Sequence, residues 1–261
     1  MSGYILCQTK KARSPYFIQN ISTNIYTLEE LCYYLYHNIY LVDQTIINEA
    51  LCSWIAQELE LPRLAAKLRP KLGKFASAED ILYPVFKEIN YLTYEELRTL
   101  NAKLSKMDAE APVVREKKKG DALVENGMLV SAIHVYEKLL KKEGLEQGQA
   151  GLTAQIYHNL GCACSYLFQM EKAVECFWHA HQLDETEQSL ITYLLAYKSI
   201  RTPIEYESRL TALNVSDQVK ETVQQALERF AKKPEIPVYS QHIDECLVKF
   251  TKEYHRRGLS H

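Results

Sequence analysis

The chain has 261 residues, which suits one long or two modest domains, since globular domains usually run to roughly 100 to 200 residues. Hydrophobic residues make up 47% and charged residues 25%, proportions that argue against a disordered or fibrous protein. Lys and Arg number 31 against 33 Asp and Glu, so the basic excess expected of a nucleic-acid-binding domain is missing.

The sequence favours a cytoplasmic protein without a membrane segment. No apolar stretch approaches the roughly 18 residues that a membrane helix needs, and the first residues lack the charge order of a signal peptide. The cysteines are odd in number and scattered along the chain, which favours reduced, mostly buried thiols. They are Cys7, Cys32, Cys52, Cys162, Cys164, Cys176 and Cys246.

Residues 1–108 predict a mostly helical unit with at most a small β-hairpin at its start. Two short apolar runs, Tyr4–Cys7 and Tyr16–Gln19, flank a polar loop and predict the hairpin. Capping boxes at Thr27 with Glu30 and at Thr93 with Glu96 predict two helix starts, and Ser77 predicts a third.

A tyrosine row at helical spacing marks the first of these helices: Tyr33, Tyr36 and Tyr40. Such a row usually packs between helices. The alternative is a binding surface for a basic partner, because residues 14–62 contain no Lys or Arg and six carboxylates.

The helical pattern weakens around residues 108–112, where we place a boundary. We expect helical repeats over 113–233 and a C-terminal helix over 238–258. That last helix has Ile243, Leu247, Phe250 and Tyr254 on one face, and either caps the repeats or occupies their groove. In total about a dozen helices are expected.

A glycine, an alanine and an aromatic residue recur at spacings of twelve and four residues. The two sets are Gly120, Ala132 and Tyr136, and then Gly161, Ala173 and Phe177. The second set is extended by Tyr157, Leu160 and Ala180. This pattern resembles the tetratricopeptide repeat (TPR), a pair of antiparallel helices, over about residues 113–200.

The resemblance implies a short stack of such pairs, with two good repeats and a degenerate third near Leu190–Ile200. Gly161, Ala173 and Ala180 would lie where helices touch, and Tyr157, Leu160 and Phe177 would fill the space beside them. The interval between the two glycines is longer than the family's, which predicts an extended turn around Gly144–Gly151.

The resemblance also implies a function. TPR stacks typically bind a peptide or protein segment in a groove lined by the first helix of each pair, without catalysis or cofactor. By position the groove residues here are Lys117, Asp121, Val124, His158, Cys162 and Tyr166. A plainer possibility is a solvated helix face without a ligand. One subclass of the family binds the C-terminal carboxylate of chaperones through two asparagines. This ligand is disfavoured here, because Asp121 and Cys162 occupy the positions of those asparagines.

Metal binding, nucleic-acid binding and catalysis find weaker support. Cysteines and histidines between Cys162 and His181 lack the usual two-residue spacing of zinc ligands. Residues 27–60 could form a helix-turn-helix, but its recognition helix, Gln44–Glu58, carries no Lys or Arg, which disfavours nucleic acid. No catalytic motif is present. A regulatory protein with a catalytic or nucleic-acid-binding N-terminal unit, controlled by the repeats, remains the alternative to an adaptor.

Overall fold

The computed structural model of the chain describes residues 9–72, 79–142, 150–231 and 243–258. Within them the protein is mainly helical, with thirteen α-helices and one two-stranded antiparallel hairpin. The strands are β1 (Tyr16–Ile18) and β2 (Thr23–Ile25). The first helices are α1 (Leu28–His37), α2 (Glu49–Gln57), α3 (Pro62–Leu68), α4 (Glu79–Glu88) and α5 (Tyr94–Ala109). The mainly helical class and the expected number of helices are confirmed.

The remaining helices follow in chain order. They are α6 (Pro112–Glu125), α7 (Leu129–Leu140), α8 (Ala150–Tyr166), α9 (Met170–Asp184), α10 (Glu187–Ile200), α11 (Pro203–Ala212), α12 (Asp217–Ala231) and α13 (Ile243–Gly258). None of the helices within the described ranges is long and apolar enough to cross a membrane.

A small hairpin is present, and the predicted run Tyr16–Gln19 supplies its first strand. Tyr16–Ile18 pairs with Thr23–Ile25, with Tyr16 opposite Ile25. The strand expected to pair with this run, Tyr4–Cys7, lies outside the described residues, so that pairing stays a prediction. The turn has Ser22 in the left-handed region at φ 49°, a conformation that the sequence does not predict because the turn contains no glycine.

Helix starts follow the local chemistry of the sequence. The capping boxes at Thr27 with Glu30 and at Thr93 with Glu96 are both formed, which confirms the predicted starts of α1 and α5. A third box, Thr202 with Glu205, opens α11. The predicted cap Ser77 lies outside the described residues.

The N-terminal helices enclose an apolar core and are joined by an ion pair on their surface. Leu28, Leu31 and Leu35 of α1 are fully buried. The acidic segment meets the basic one that follows it, as Arg69 Nε lies 2.8 Å from Glu49 Oε1. On the surface this ion pair contributes little stability by itself, but it fixes which segments are neighbours.

The break at residues 110–111 separates two helices that both pack onto the N-terminal segment. Lys119 Nζ lies 2.8 Å from Asp43 Oδ2, and Asn126 Nδ2 donates to Asn38 Oδ1 at 2.7 Å. The described residues as far as Val223 form one compact unit, and those from Gln224 onward group separately. The proposed boundary between 1–108 and 113–233 stays a prediction.

Helices from α6 onward pack as successive pairs. α6 lies against α7 and α8 against α9, each pair joined by three residues, which makes the two members antiparallel. α7 also contacts α8, α10 packs on α9, and α6 touches α8. α8 begins at Ala150, so Gly151 lies inside a helix and not in the extended turn expected for it. Residues 143–149 lie outside the described part.

The C-terminal segment contains the expected helix, α13. Its side chains Leu247, Val248 and Phe250 are exposed. The side chains of Ile243 and Tyr254, which complete the predicted apolar face, lie outside the described residues. Whether this helix caps the repeats stays a prediction.

Candidate functional site

Two glycines bring helices together in the same way in both helix pairs. A Cβ built on Gly120 would overlap a ring carbon of Tyr136, and one on Gly161 would lie 2.7 Å from a ring carbon of Phe177. Real Cβ atoms are not found so close to a ring. Only glycine therefore fits at these two positions while the aromatic ring of the second helix stays in place.

The other positions of the repeated pattern form the buried side of each pair. Ala132, Ala173, Ala180 and Leu160 are all buried. Tyr157 is half-buried, with its ring 5.1 Å from that of His179. The equivalent residues of the two sequence copies thus occupy equivalent places in the two helix pairs.

Asp121, a predicted groove residue on α6, is held by three neighbours. Its Oδ1 accepts hydrogen bonds from Tyr136 Oη at 2.7 Å and from Asn159 Nδ2 at 2.7 Å. Its Oδ2 lies 2.8 Å from Lys117 Nζ. Burial and the bond to this carboxylate raise the pKa of Tyr136. Asp121 therefore ties α6 to both α7 and α8, and its carboxylate is largely occupied within the protein.

His158 and Cys162, one turn apart on α8, form a close uncharged pair. His158 Nε2 lies 3.6 Å from Cys162 Sγ. Burial lowers the pKa of His158, and the nearby charge of Lys117 adds to this effect against the opposing charge of Asp184. Burial raises the pKa of Cys162. The pair consequently lacks the thiolate and imidazolium of a cysteine nucleophile.

The remaining predicted groove residues lie at the edges of this face. Val124 is half-buried on the last turn of α6. Tyr166, the last residue of α8, is 68% exposed. The structure therefore brings Lys117, Asp121 and His158 together and leaves Tyr166 as an exposed aromatic ring. We refer to the face formed by the six predicted residues of α6 and α8 as the groove face.

A cleft of about 390 Å³ lies where the N-terminal segment meets α5 and α6, and we call it the Tyr–Lys cleft. Its lining residues are Tyr36, His37, Asn38, Ile39, Tyr40, Lys103, Lys106, Lys118, Asp121, Ala122 and Glu125. Tyr36 and Tyr40 of the predicted tyrosine row and Asp121 of the predicted groove thus line the same cleft.

The tyrosine row differs from its expected surroundings. Tyr33 is 60% exposed, whereas Tyr36 and Tyr40 are half-buried. Lysine ammonium groups lie over both half-buried rings, Lys103 at 5.4 Å from the Tyr36 centroid and Lys118 at 5.2 Å from that of Tyr40. The composition of residues 14–62 suggested an acidic surface around these tyrosines. Lysines lie over Tyr36 and Tyr40 instead, because α5 and α6 supply them from outside that segment.

An aromatic and cationic cluster joins α9, α10 and α11, and the sequence patterns did not reveal it. The Arg209 guanidinium lies 4.4 Å from the Trp178 ring centroid, and its Nε donates to Tyr193 Oη at 2.8 Å. Trp178 and Tyr193 rings are 5.0 Å apart. These residues come from three helices, so no local spacing could have predicted the cluster.

Ser189, His181 and Asp184 meet near the start of α10, but not as a catalytic triad. Ser189 Oγ lies 3.0 Å from His181 Nδ1 and donates to Asp184 Oδ1 at 2.5 Å. In a triad the histidine stands between the serine and the carboxylate. Here both contact the serine, which is buried within the cap formed by Thr186. The three residues therefore stabilise the start of α10.

The possible helix-turn-helix and the described cysteines are the other candidates that the sequence raised. The helix expected over Gln44–Glu58 starts at Glu49, five residues after Gln44, and buries Leu51 and Trp54. Cys164 and Cys176 are buried, and burial raises the pKa of each thiol. Across the described parts of the chain, no three His, Cys, Asp or Glu side chains are arranged to hold a metal ion.

Comparison of this chain with protein-family models, with curated proteins and with solved structures gives no match.

Proposed function

We propose that the protein is a non-catalytic cytoplasmic adaptor whose groove face binds a segment of another protein. The observation that carries the proposal is the shared packing of the two helix pairs, in which Gly120 contacts Tyr136 as Gly161 contacts Phe177. This packing places the first helices, α6 and α8, side by side. Side chains of both then converge on one surface, as in other stacks of helical pairs.

The side chains of the groove face suit a polar segment with one apolar anchor. Lys117 and Asp121 neutralise each other, so a ligand of strong single charge gains little there. His158 is uncharged and half-buried, and offers a hydrogen bond. Tyr166 offers an exposed, rigid and amphipathic ring of the kind that anchors interfaces.

The cysteines support the cytoplasmic part of the proposal. Cys32, Cys52, Cys164 and Cys176 are buried and have free thiols. Such thiols are typical of proteins from a reducing compartment.

Affinity capture from a lysate with the full chain tests the proposal. In one variant, Lys117→Ala, His158→Ala and Tyr166→Ala are combined. The matched control combines Lys138→Ala, His134→Ala and Tyr94→Ala, the same residue types at exposed positions away from the groove face. We expect the first variant to lose a specific protein that the wild type and the control both retain.

Equal capture by all three proteins would exclude the groove face as the binding site. Melting temperatures of the three proteins are compared first, because His158 also packs against the Phe177 ring at 5.5 Å. A single His158→Gln variant, which preserves most of the side-chain volume, separates a lost contact from a lost fold.

A further inference from the structure

The Tyr–Lys cleft is a concave surface lined by aromatic and cationic side chains. Tyr36, Ile39 and Tyr40 come from α1 and the turn after it, and Ala122 comes from α6. Lys103 and Lys106 stand one turn apart on α5 and also line the cleft, with the Lys103 ammonium over the Tyr36 ring. The cleft shares only Asp121 with the groove face, so an argument about its ligand stands apart from the proposal for that face.

Some charged side chains of the cleft have an oppositely charged partner, and others do not. Lys118 contacts Glu110 and donates to Tyr40 Oη at 3.0 Å, and Lys117 holds Asp121. Within the described residues, neither Lys103 nor Lys106 forms an ion pair with a carboxylate. Two exposed ammonium groups therefore face the cleft without a hydrogen-bonded counter-charge.

Neighbouring groups respond to this positive charge. The Lys103 charge adds to burial in lowering the pKa of His37. Lys106 adds to the larger effect of Lys118 in lowering the pKa of Glu110. An anion in the cleft would meet a positive potential from the lysines of α5, beside the aromatic rings of Tyr36 and Tyr40.

We propose that the Tyr–Lys cleft binds an acidic segment of a partner protein, with carboxylates at Lys103 and Lys106 and an apolar side chain against Tyr36 and Tyr40. A carboxylate gains a charge-assisted hydrogen bond from each lysine. A peptide suits the cleft because one short segment can supply carboxylates for Lys103 and Lys106 together with an apolar side chain for the tyrosines.

The test uses fluorescence anisotropy with the full chain and a labelled peptide, Glu-Asp-Glu-Phe-Glu-Asp. We expect saturable binding by the wild type, and binding at least about tenfold weaker by the Lys103→Glu and Lys106→Glu double variant. The double variant should instead bind the charge-reversed peptide, Lys-Lys-Lys-Phe-Lys-Lys, which the wild type should not bind.

A matched control carries Lys138→Glu and Lys142→Glu, two exposed lysines on and just after α7 that change the net charge equally. It should bind the acidic peptide as the wild type does. Absence of saturable binding by the wild type, or equal weakening in both double variants, would overturn the proposal. Since Lys103 and Lys106 are exposed, a Lys103→Gln and Lys106→Gln variant should fold and show the same direction of change. A His158→Ala and Tyr166→Ala variant, which keeps the ion pair between Lys117 and Asp121, should retain the acidic peptide, so failure of one proposal leaves the other measurable.

Discussion

Single residues explain why the two helix pairs are alike. Gly120 and Gly161 are fixed by the aromatic ring that each contacts in the second helix of its pair. Their role follows from the sequence, since a small residue twelve and sixteen positions before an alanine and a ring is the signature of a close helix contact. The structure adds the size of the available space, which is less than one methyl group.

Replacement of Gly161 by alanine should destabilise the protein. The new methyl group would meet the Phe177 ring, and overpacking a tight contact typically costs about 1–3 kcal/mol, of which the helix propensity of alanine offsets up to about 1 kcal/mol. Gly151→Ala is the control in the same helix, because nothing lies within 4 Å of its Cβ position. Urea unfolding should show a lower midpoint for Gly161→Ala and an equal or higher one for Gly151→Ala. If both variants unfold like the wild type, the contact does not limit stability.

Asp121 illustrates what residue patterns cannot predict. The repeat register predicts it as a groove residue of α6, the helix in which the structure has it. Its partners Tyr136 and Asn159 belong to two other helices, so its structural role depends on packing that no spacing along one helix reveals. The hydrogen-bond partners of such a residue are therefore less predictable than the helix that carries it.

At the scale of helices, an ion pair links the two helix pairs. Lys172 of α9 donates to Glu137 of α7 at 2.5 Å. This bond lowers the pKa of Glu137 and raises that of Lys172. About a third of each side chain is exposed, so the pair contributes under about 1 kcal/mol.

The pH dependence of unfolding should report this pair. Because the folded-state pKa of Glu137 lies below its unfolded value of about 4.3, the pair's contribution is present above that pH and is lost as the pH falls further. Lys172→Met should be less stable than the wild type near pH 7, and the difference should shrink as the pH falls below about 4. Lys138→Met, an exposed lysine without an ion pair among the described residues, is the control. A difference that stays constant from pH 7 to 3 would contradict this account.

Helix boundaries were more predictable than strand pairing. The boxes at Thr27 and Thr93 depend on two residues three positions apart, so the sequence contains all that is needed. The strand Thr23–Ile25 depends on a left-handed Ser22 and on the packing of Ile25 into the core, and neither is visible in a local pattern.

At the scale of the whole chain, the N-terminal segment and α6 share an interface. Lys118 and Lys119 of α6 contact Tyr40 and Asp43, which lie far back in the sequence. The sequence suggested two separate surfaces, the tyrosine row and the groove. It could not reveal that Tyr36, Tyr40 and Asp121 line one cleft, because such contacts join residues about 80 positions apart.

Site-specific photocrosslinking tests the central claim, that the groove face binds another protein, most directly. A benzoylphenylalanine replaces Tyr166 at the exposed end of α8, or Val130, which is 59% exposed on α7 away from the groove face. After irradiation in a lysate, the account predicts a discrete adduct with one partner segment from position 166 and none from position 130. The same adducts from both positions, or no adduct from position 166, would contradict it.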